Sequence, residues 1–211
     1  MPDSQIQNTP PTNRDDLIQG LDALEERLLW LASWTIHNAN HLRPSRDGLK
    51  VGGHQASCAS MTTLMAALYF HTLRPQDRVA VKPHASPVLH AVEYLFDRQS
   101  QSQMERFRGF GGMQSYPSRT KDDIRVDFST GSVGLGVAIT AFASLVQDMW
   151  LARGEMAPEQ AGRFISLLGD AELDEGNIYE ALIEAYKHDI RNTWWIVDYN
   201  RQSLDATTSE K

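Results

Sequence analysis

Apolar residues change their spacing along this chain, and each change marks an element. Between Asp15 and Ala39, Leu17, Leu21, Leu24, Leu28, Leu31 and Thr35 recur every three or four residues, the period of one helix face, which predicts an amphipathic helix. The same spacing returns from Ser57 to Leu73, with Met61, Leu64, Met65, Leu68 and Tyr69 inward. Val79-Ala80-Val81 is a short continuous apolar run and predicts a strand. Ser86 as N-cap and Pro87 in the first turn then open a helix to about Asp97. Residues 99–131 hold Gly109, Gly111, Gly112 and Tyr116-Pro117 without a sustained period, and a loop of that length in a compact domain predicts a lid or binding loop. A long apolar helix is expected from the glycine-rich stretch at Thr130 to Gly136 as far as about Ala152, with residues 153–163 as a connection.

The most informative unit is residues 164–205. Phe164 to Leu168 has strand length and stops at Gly169-Asp170; Ile178, Leu182, Ala185 and Tyr186 then follow helical spacing, and Trp194 to Val197 is a second strand closed by Asp198-Tyr199-Asn200. Two strands joined by one helix predict a parallel βαβ unit whose strands end on one side of the sheet. Asp170 and Asn200, thirty residues apart, thereby reach neighbouring strand ends, where ligands of open α/β sheets sit. A carboxylate and an amide oxygen suit Mg²⁺ or Ca²⁺ better than zinc, and Mg²⁺ commonly completes its shell with waters and phosphate oxygens. The pair reads as a metal-bridged phosphate site. Each residue alone has a plainer reading, as helix cap or strand closure; the combination points to the site. The expected class is α/β, a parallel sheet flanked by helices with a Rossmann-like ligand edge.

Composition narrows the partners. With 211 residues, 41% of them hydrophobic, the chain can bury a core. A net charge of −7 and a pI near 5.5 argue against nucleic acid and against an anionic membrane surface. A diphosphate is still admissible, because helix amino-termini and a divalent cation act locally. Cys58 is the one cysteine, no secretory pattern opens the chain, and the run from Val133 to Val146 falls short of the roughly 20 residues of a membrane helix. A reduced, soluble, cytoplasmic protein is expected. Residues 1–13, polar and bearing Pro2, Pro10 and Pro11, read as a disordered leader, and 14–211 as one domain.

Two histidines lie where they can serve the same edge. Gly52-Gly53-His54 is a turn that allows close backbone approach, although a histidine near a helix start is more often a cap or surface group. His84, in Lys82-Pro83-His84-Ala85-Ser86-Pro87, follows the Val79 strand and so sits at the sheet edge assigned to Asp170 and Asn200. Thr130-Gly131-Ser132-Val133-Gly134-Leu135-Gly136 places backbone N–H groups at a helix start, favourable to an anion or simply to tight packing. No Walker lysine follows, which disfavours a nucleotide triphosphatase.

Taken in order, these segments resemble the thiamine-diphosphate-dependent enzymes of the transketolase superfamily. Gly169-Asp170 with Asn200 is similar to their Gly-Asp-Gly and later Asn, with Ala171 in place of the second Gly; Glu175-Gly176 and Glu180 resemble the transketolase branch. His84-Ala85-Ser86-Pro87 and Asn200-Arg201-Gln202-Ser203-Leu204-Asp205 resemble the homodimeric pyruvate dehydrogenase first component, with Pro83 in place of Gly. The active-site histidine that the family often carries beside a proline is absent at Pro117-Ser118-Arg119. The resemblance implies thiamine diphosphate and Mg²⁺ as cofactors. Asp170, Asn200 and the Gln202 carbonyl would hold the metal, and Gly131, Ser132, Val133, Gly169, Ala171 and Glu172 would line the diphosphate. His54 and His84 would contact cofactor or substrate and move protons. It also implies oxidative decarboxylation of a 2-oxo acid, with ketol transfer between ketoses as the alternative. The family's pyrimidine-binding domain and activating glutamate have no counterpart in the sequence. The expectation is therefore a fold incomplete at its carboxyl end, working as a homodimer or with a chain that carries that domain and without turnover by itself; the alternative is a catalytically inert fragment or subunit that acts only by association.

Overall fold

The computed structural model describes residues 13–45, 47–203 and 206–208. Residues 1–12 of the expected leader, and Leu204-Asp205 of the last motif, lie outside the described residues. Asn13, counted with the leader, is the N-cap of helix α1 (Arg14–His37): its side chain accepts from the Asp16 N–H at 2.8 Å, and Asp15 and Asp16 complement the positive helix end. Leu28, Leu31, Ala32 and Ile36 bury one face of α1, while Leu17, Leu21 and Leu24 are only half-buried.

The helix expected over Ser57 to Leu73 is divided. Helix α2 (Gln55–Ala59) stops at Ser60, α3 (Thr62–Ala67) restarts, and a π-helical turn (Leu68–Thr72) ends it. At the break the Thr62 hydroxyl donates to the Ala59 carbonyl at 2.9 Å, a local bond that competes with the helical ladder. Strand β1 (Arg78–Ala80) follows, then a 3₁₀ turn (Pro83–Ala85) and helix α4 (Ser86–Leu95). Ser86 does not cap α4 as expected: it is the first helical residue, and its buried hydroxyl has no partner among the described residues. The long loop contains a short helix α5 (Gln101–Glu105). Helix α6 (Leu135–Ala152), strand β2 (Phe164–Gly169), helix α7 (Gly176–Lys187) and strand β3 (Thr193–Asp198) complete the βαβ unit. The residues after it form a small hairpin, β4 (Gln202–Ser203) with β5 (Ala206–Thr207), that the apolar pattern did not announce.

The sheet is parallel in the order β1-β2-β3, and Gly169 of β2 pairs with Asp198 of β3, so Asp170 and Asn200 do reach adjacent strand ends. Alternation along the strands splits the core into two layers. Val79, Ile165 and Leu167 join the large cluster with α1, α3 and α4, whereas Leu168 and Trp195 meet Val137, Ala141, Ile178 and Ala181 of α6 and α7. The second layer is thinner. Helix α6 runs six residues past Val146 and, by length and composition, could cross a membrane; here it lies on β2 and α7 with Phe142, Val146, Met149 and Trp150 exposed.

Candidate active site

Strand β2 delivers Asp170 into a 3₁₀ turn (Asp170–Asp174), buried at the carboxyl edge of the sheet. One oxygen, Oδ2, accepts from the Arg201 N–H (3.1 Å) and the Thr208 hydroxyl (2.8 Å). The other, Oδ1, is buried and has no partner among the described residues. A buried acceptor left unmade costs about 1–3 kcal/mol, more when charged, so this carboxylate oxygen calls for a cation. The hairpin of β4 and β5 explains its posture, because it brings Thr208 back to the strand end.

Glu172, two residues on, uses both carboxylate oxygens to tie the edge together: Oε1 accepts from the Gly169 N–H (3.0 Å) and Oε2 from the Gly134 N–H at the start of α6 (3.1 Å). Burial raises its pKa against the opposing effect of those two N–H bonds and of Lys82. Gly134 sits at φ +79°, and a Cβ there would stand 2.6 Å from Asn177 Oδ1 and 2.9 Å from Glu175 Cβ. Only glycine fits this start to α6 without displacement. Gly131 and Ser132, ahead of it, are exposed, and Val133 is half-buried.

At the end of β3 the buried Asp198 gathers three donors on one oxygen: Lys82 Nζ (2.6 Å), the Ser60 hydroxyl (2.6 Å) and Asn200 Nδ2 (3.0 Å). Asn200 Oδ1 accepts from the Gln202 N–H at 2.9 Å, which leaves it a lone pair for a further partner. Asn200 and Gln202 thus stand in one turn beside Asp170. Among the described residues no three His, Cys, Asp or Glu side chains cluster as metal ligands. A metal here would rest on Asp170 and neutral oxygens, the donor set Mg²⁺ accepts.

The histidines form the opposite rim. Gly52 and Gly53 adopt φ of +78° and +132°, and a Cβ on Gly53 would meet Ile36 Cγ2 at 2.9 Å. This turn lays His54 on His84, with ring centroids 3.9 Å apart and planes 24° from parallel. Burial, then the neighbouring His54, Lys82 and Arg108, push the His84 pKa down to about 4. His54 is lowered by burial, then by Arg108 and Lys82. Both rings are neutral at pH 7, each with one N–H donor and one acceptor nitrogen. Tyr116 lies 5.8 Å from the His84 ring and against Gly131, and Arg108 donates to the Val51 carbonyl at 2.7 Å. The long loop therefore does wall the site.

Hydrogen bonds join Glu172 to Gly169 and Gly134 and Asn200 to Gln202 and Asp198, and the turn at Arg201 reaches Asp170; His84, in the 3₁₀ turn after β1, stacks on His54. Ala171 has no positive φ, so the methyl that replaces the family's glycine adds no backbone strain. The sequence reading missed Lys82, Asp198, Ser60, Arg108 and Thr208. A lysine in the apolar run after Val81 and an aspartate closing β3 were visible signals for two of them; Ser60 and Thr208 had none.

The family model described as 1-deoxy-D-xylulose-5-phosphate synthase matches residues 46–209. The pyruvate dehydrogenase E1 component of Mycolicibacterium smegmatis is 28% identical over 216 residues, covering 94% of this chain and 22% of that protein. Transketolase-like protein 2 of Mus musculus is 31% identical over 166 residues, 74% of this chain and 25% of its own. The chain thus spans about a quarter of the length of these curated relatives. In fold it is similar to the transketolase of Campylobacter jejuni, with a TM-score of 0.74 at 22% identity over 90% of this chain and 29% of that one. The extent of the family match, laid over this edge, is decisive: the chain belongs to the thiamine-diphosphate-dependent transketolase superfamily, in the family described as 1-deoxy-D-xylulose-5-phosphate synthase.

Proposed function

We propose that this chain forms the diphosphate- and Mg²⁺-binding part of an enzyme that cleaves the carbon–carbon bond beside the carbonyl of a 2-oxo acid. The observation that carries the proposal is the buried Asp170 Oδ1, without a partner among the described residues, on a carboxylate whose other oxygen is bonded to the Arg201 N–H between Asn200 and Gln202. Asp170, Asn200 Oδ1 and the Gln202 carbonyl would hold Mg²⁺, and the backbone of Gly131 to Val133, Ala171 and Glu172 would line the diphosphate. Thiamine diphosphate, when bound, supplies a nucleophilic carbon and an electron sink for the cleavage. The chain's own work is to hold that group and to handle protons. Glu172 keeps the α6 start and the Gly169 turn at fixed separation. His54 and His84, kept neutral, can donate from one ring nitrogen and accept at the other near pH 7.

A 2-oxo acid is favoured over a ketose by coverage. The pyruvate dehydrogenase relatives align over 94–97% of this chain and the transketolase relatives over 71–74%. The remaining part of the site, including the group that activates the cofactor, is assigned to the rest of such an enzyme or to a second subunit. Exposed Phe142, Val146 and Trp150 on α6 and Tyr179 and Ile183 on α7 support association. Calorimetric titration of thiamine diphosphate with and without Mg²⁺ tests the reading: binding should need the metal, and Asp170→Ala should weaken it by at least about 100-fold, or about 2.7 kcal/mol. Equal binding by that variant removes the proposal.

A further inference from the structure

A cavity of about 440 Å³ lies along β1, lined from Arg74, Pro75 and Asp77 ahead of the strand to Val79 and Val81; Asp170, His54 and His84 are not among its lining residues. Leu73, Leu89, Phe96, Val126 and Phe128 supply apolar walls, and the volume falls in the range of small-molecule sites. Its polar groups are mostly paired with each other. Glu93, itself buried, takes both ends of the Arg98 guanidinium at 2.7 and 2.8 Å. Asp127 accepts from the Val79 N–H at 3.0 Å and from Arg125 at 3.3 Å, and Asp77 is held by Arg163.

Two polar groups on the wall are left over. The Tyr69 hydroxyl makes no hydrogen bond among the described residues, and burial raises its pKa, so it stays a neutral donor. The Arg74 guanidinium makes no ion pair there either. Tyr69 also stands in the π-helical turn at Leu68–Thr72, a distortion found frequently at functional sites. One spare cation and one spare donor in a cavity with apolar walls select for a single anionic group on a hydrocarbon body. A dianion such as a phosphate ester would face the Glu93 and Asp127 carboxylates with only one unpaired cation.

We propose that this cavity is a binding site for a small monocarboxylate with an aromatic or branched hydrocarbon body, its carboxylate directed to Arg74 and the Tyr69 hydroxyl. It is separate from the cofactor edge, yet shares a wall with it. Pro117 lines the cavity while the adjacent Tyr116 lies beside His84, so an occupant presses on the loop that flanks the imidazoles.

The probe is 3-phenylpropionate, which lacks the 2-oxo group and so is no substrate mimic, titrated into the purified protein by ligand-observed NMR and calorimetry. Expected is saturable binding with Kd about 1 mM or tighter, at least about tenfold weaker for the neutral 3-phenylpropionamide. Arg74→Glu, on an exposed side chain, should weaken it about tenfold or more, and Tyr69→Phe about threefold, with melting temperatures near that of the parent. Saturating thiamine diphosphate and Mg²⁺ should leave the probe bound. Absence of saturation at about 10 mM, unchanged affinity in both variants, or displacement by thiamine diphosphate would each overturn the proposal.

Discussion

The two rims of the site solve opposite electrostatic problems. On the imidazole rim, burial and the cations Lys82 and Arg108 strip His54 and His84 of their protons, so the rings are neutral and face each other without repulsion. On the carboxylate rim, Asp170 and Asp198 keep their oxygens supplied by donors, and one atom, Asp170 Oδ1, is held back. Lys82 belongs to both: two residues before His84 in the chain, it ends on Asp198. One cation thus discourages protonation on one side and supports a carboxylate on the other. Neighbouring groups of opposite task can share a single charge when each is desolvated toward it.

Cutting that link should have the largest effect. Lys82→Met leaves Asp198 buried with only Ser60 and Asn200 as donors, and loss of one member of a buried pair typically costs about 3–5 kcal/mol. Urea unfolding should show a fall of that order, and Lys82→Met/Asp198→Asn should recover part of it. If the single variant is as stable as the parent, Lys82 is not the shared charge.

Next comes the staple between the carboxylate rim and α6. Gly134→Ala forces a Cβ into Asn177 and Glu175 at a positive φ, and Glu172→Gln turns an amide N–H₂ toward one of the two N–H groups now accepted. Each should destabilise by about 1–3 kcal/mol, and both should weaken thiamine diphosphate binding. A Gly134→Ala protein with unchanged melting and binding would show that α6 can begin elsewhere.

The imidazole rim should reveal itself through pH. The His84 pKa lies near 4 in the folded protein, against about 6.5 when unfolded. Between those values the unfolded state binds more protons, so His84 contributes a loss of stability as pH falls through 6.5 toward 4, with a plateau above. The His84→Gln variant should lose less over that window in denaturant titrations at pH 7.5 and 5. A native-state resonance assigned to His84, by its loss in His84→Gln, that titrates near 6.5 would contradict the neutral rim.

The smallest effect is expected at the family's missing glycine. Since Ala171 has no positive φ, Ala171→Gly gains no relief and frees the unfolded chain, for a change under about 1 kcal/mol, in the destabilising direction. Thiamine diphosphate affinity should stay within about threefold, a shift of roughly 0.7 kcal/mol. A tenfold gain would mean that the methyl obstructs the diphosphate.

What could be read from the chain alone was the order of elements and the meeting of Asp170 with Asn200. Apolar period separates strand from helix, and a single crossover helix obliges the two strands to run parallel and end together, so these follow from local spacing and chain direction. The glycine turns before His54 and α6 were legible for the same local reason. Whether one helix or two filled Ser57 to Leu73 was not, because the break depends on Ser60 and Thr62 finding partners outside the helical ladder. Nor could spacing show that Lys82 would pair with Asp198, 116 residues away, that Glu172 would use both oxygens on backbone N–H groups, or that Asp170 would keep one oxygen free. Those are questions of partner and desolvation. A polar atom's state is set by which donors the fold brings within about 3 Å and by how much water it leaves there, and only the tertiary structure decides both.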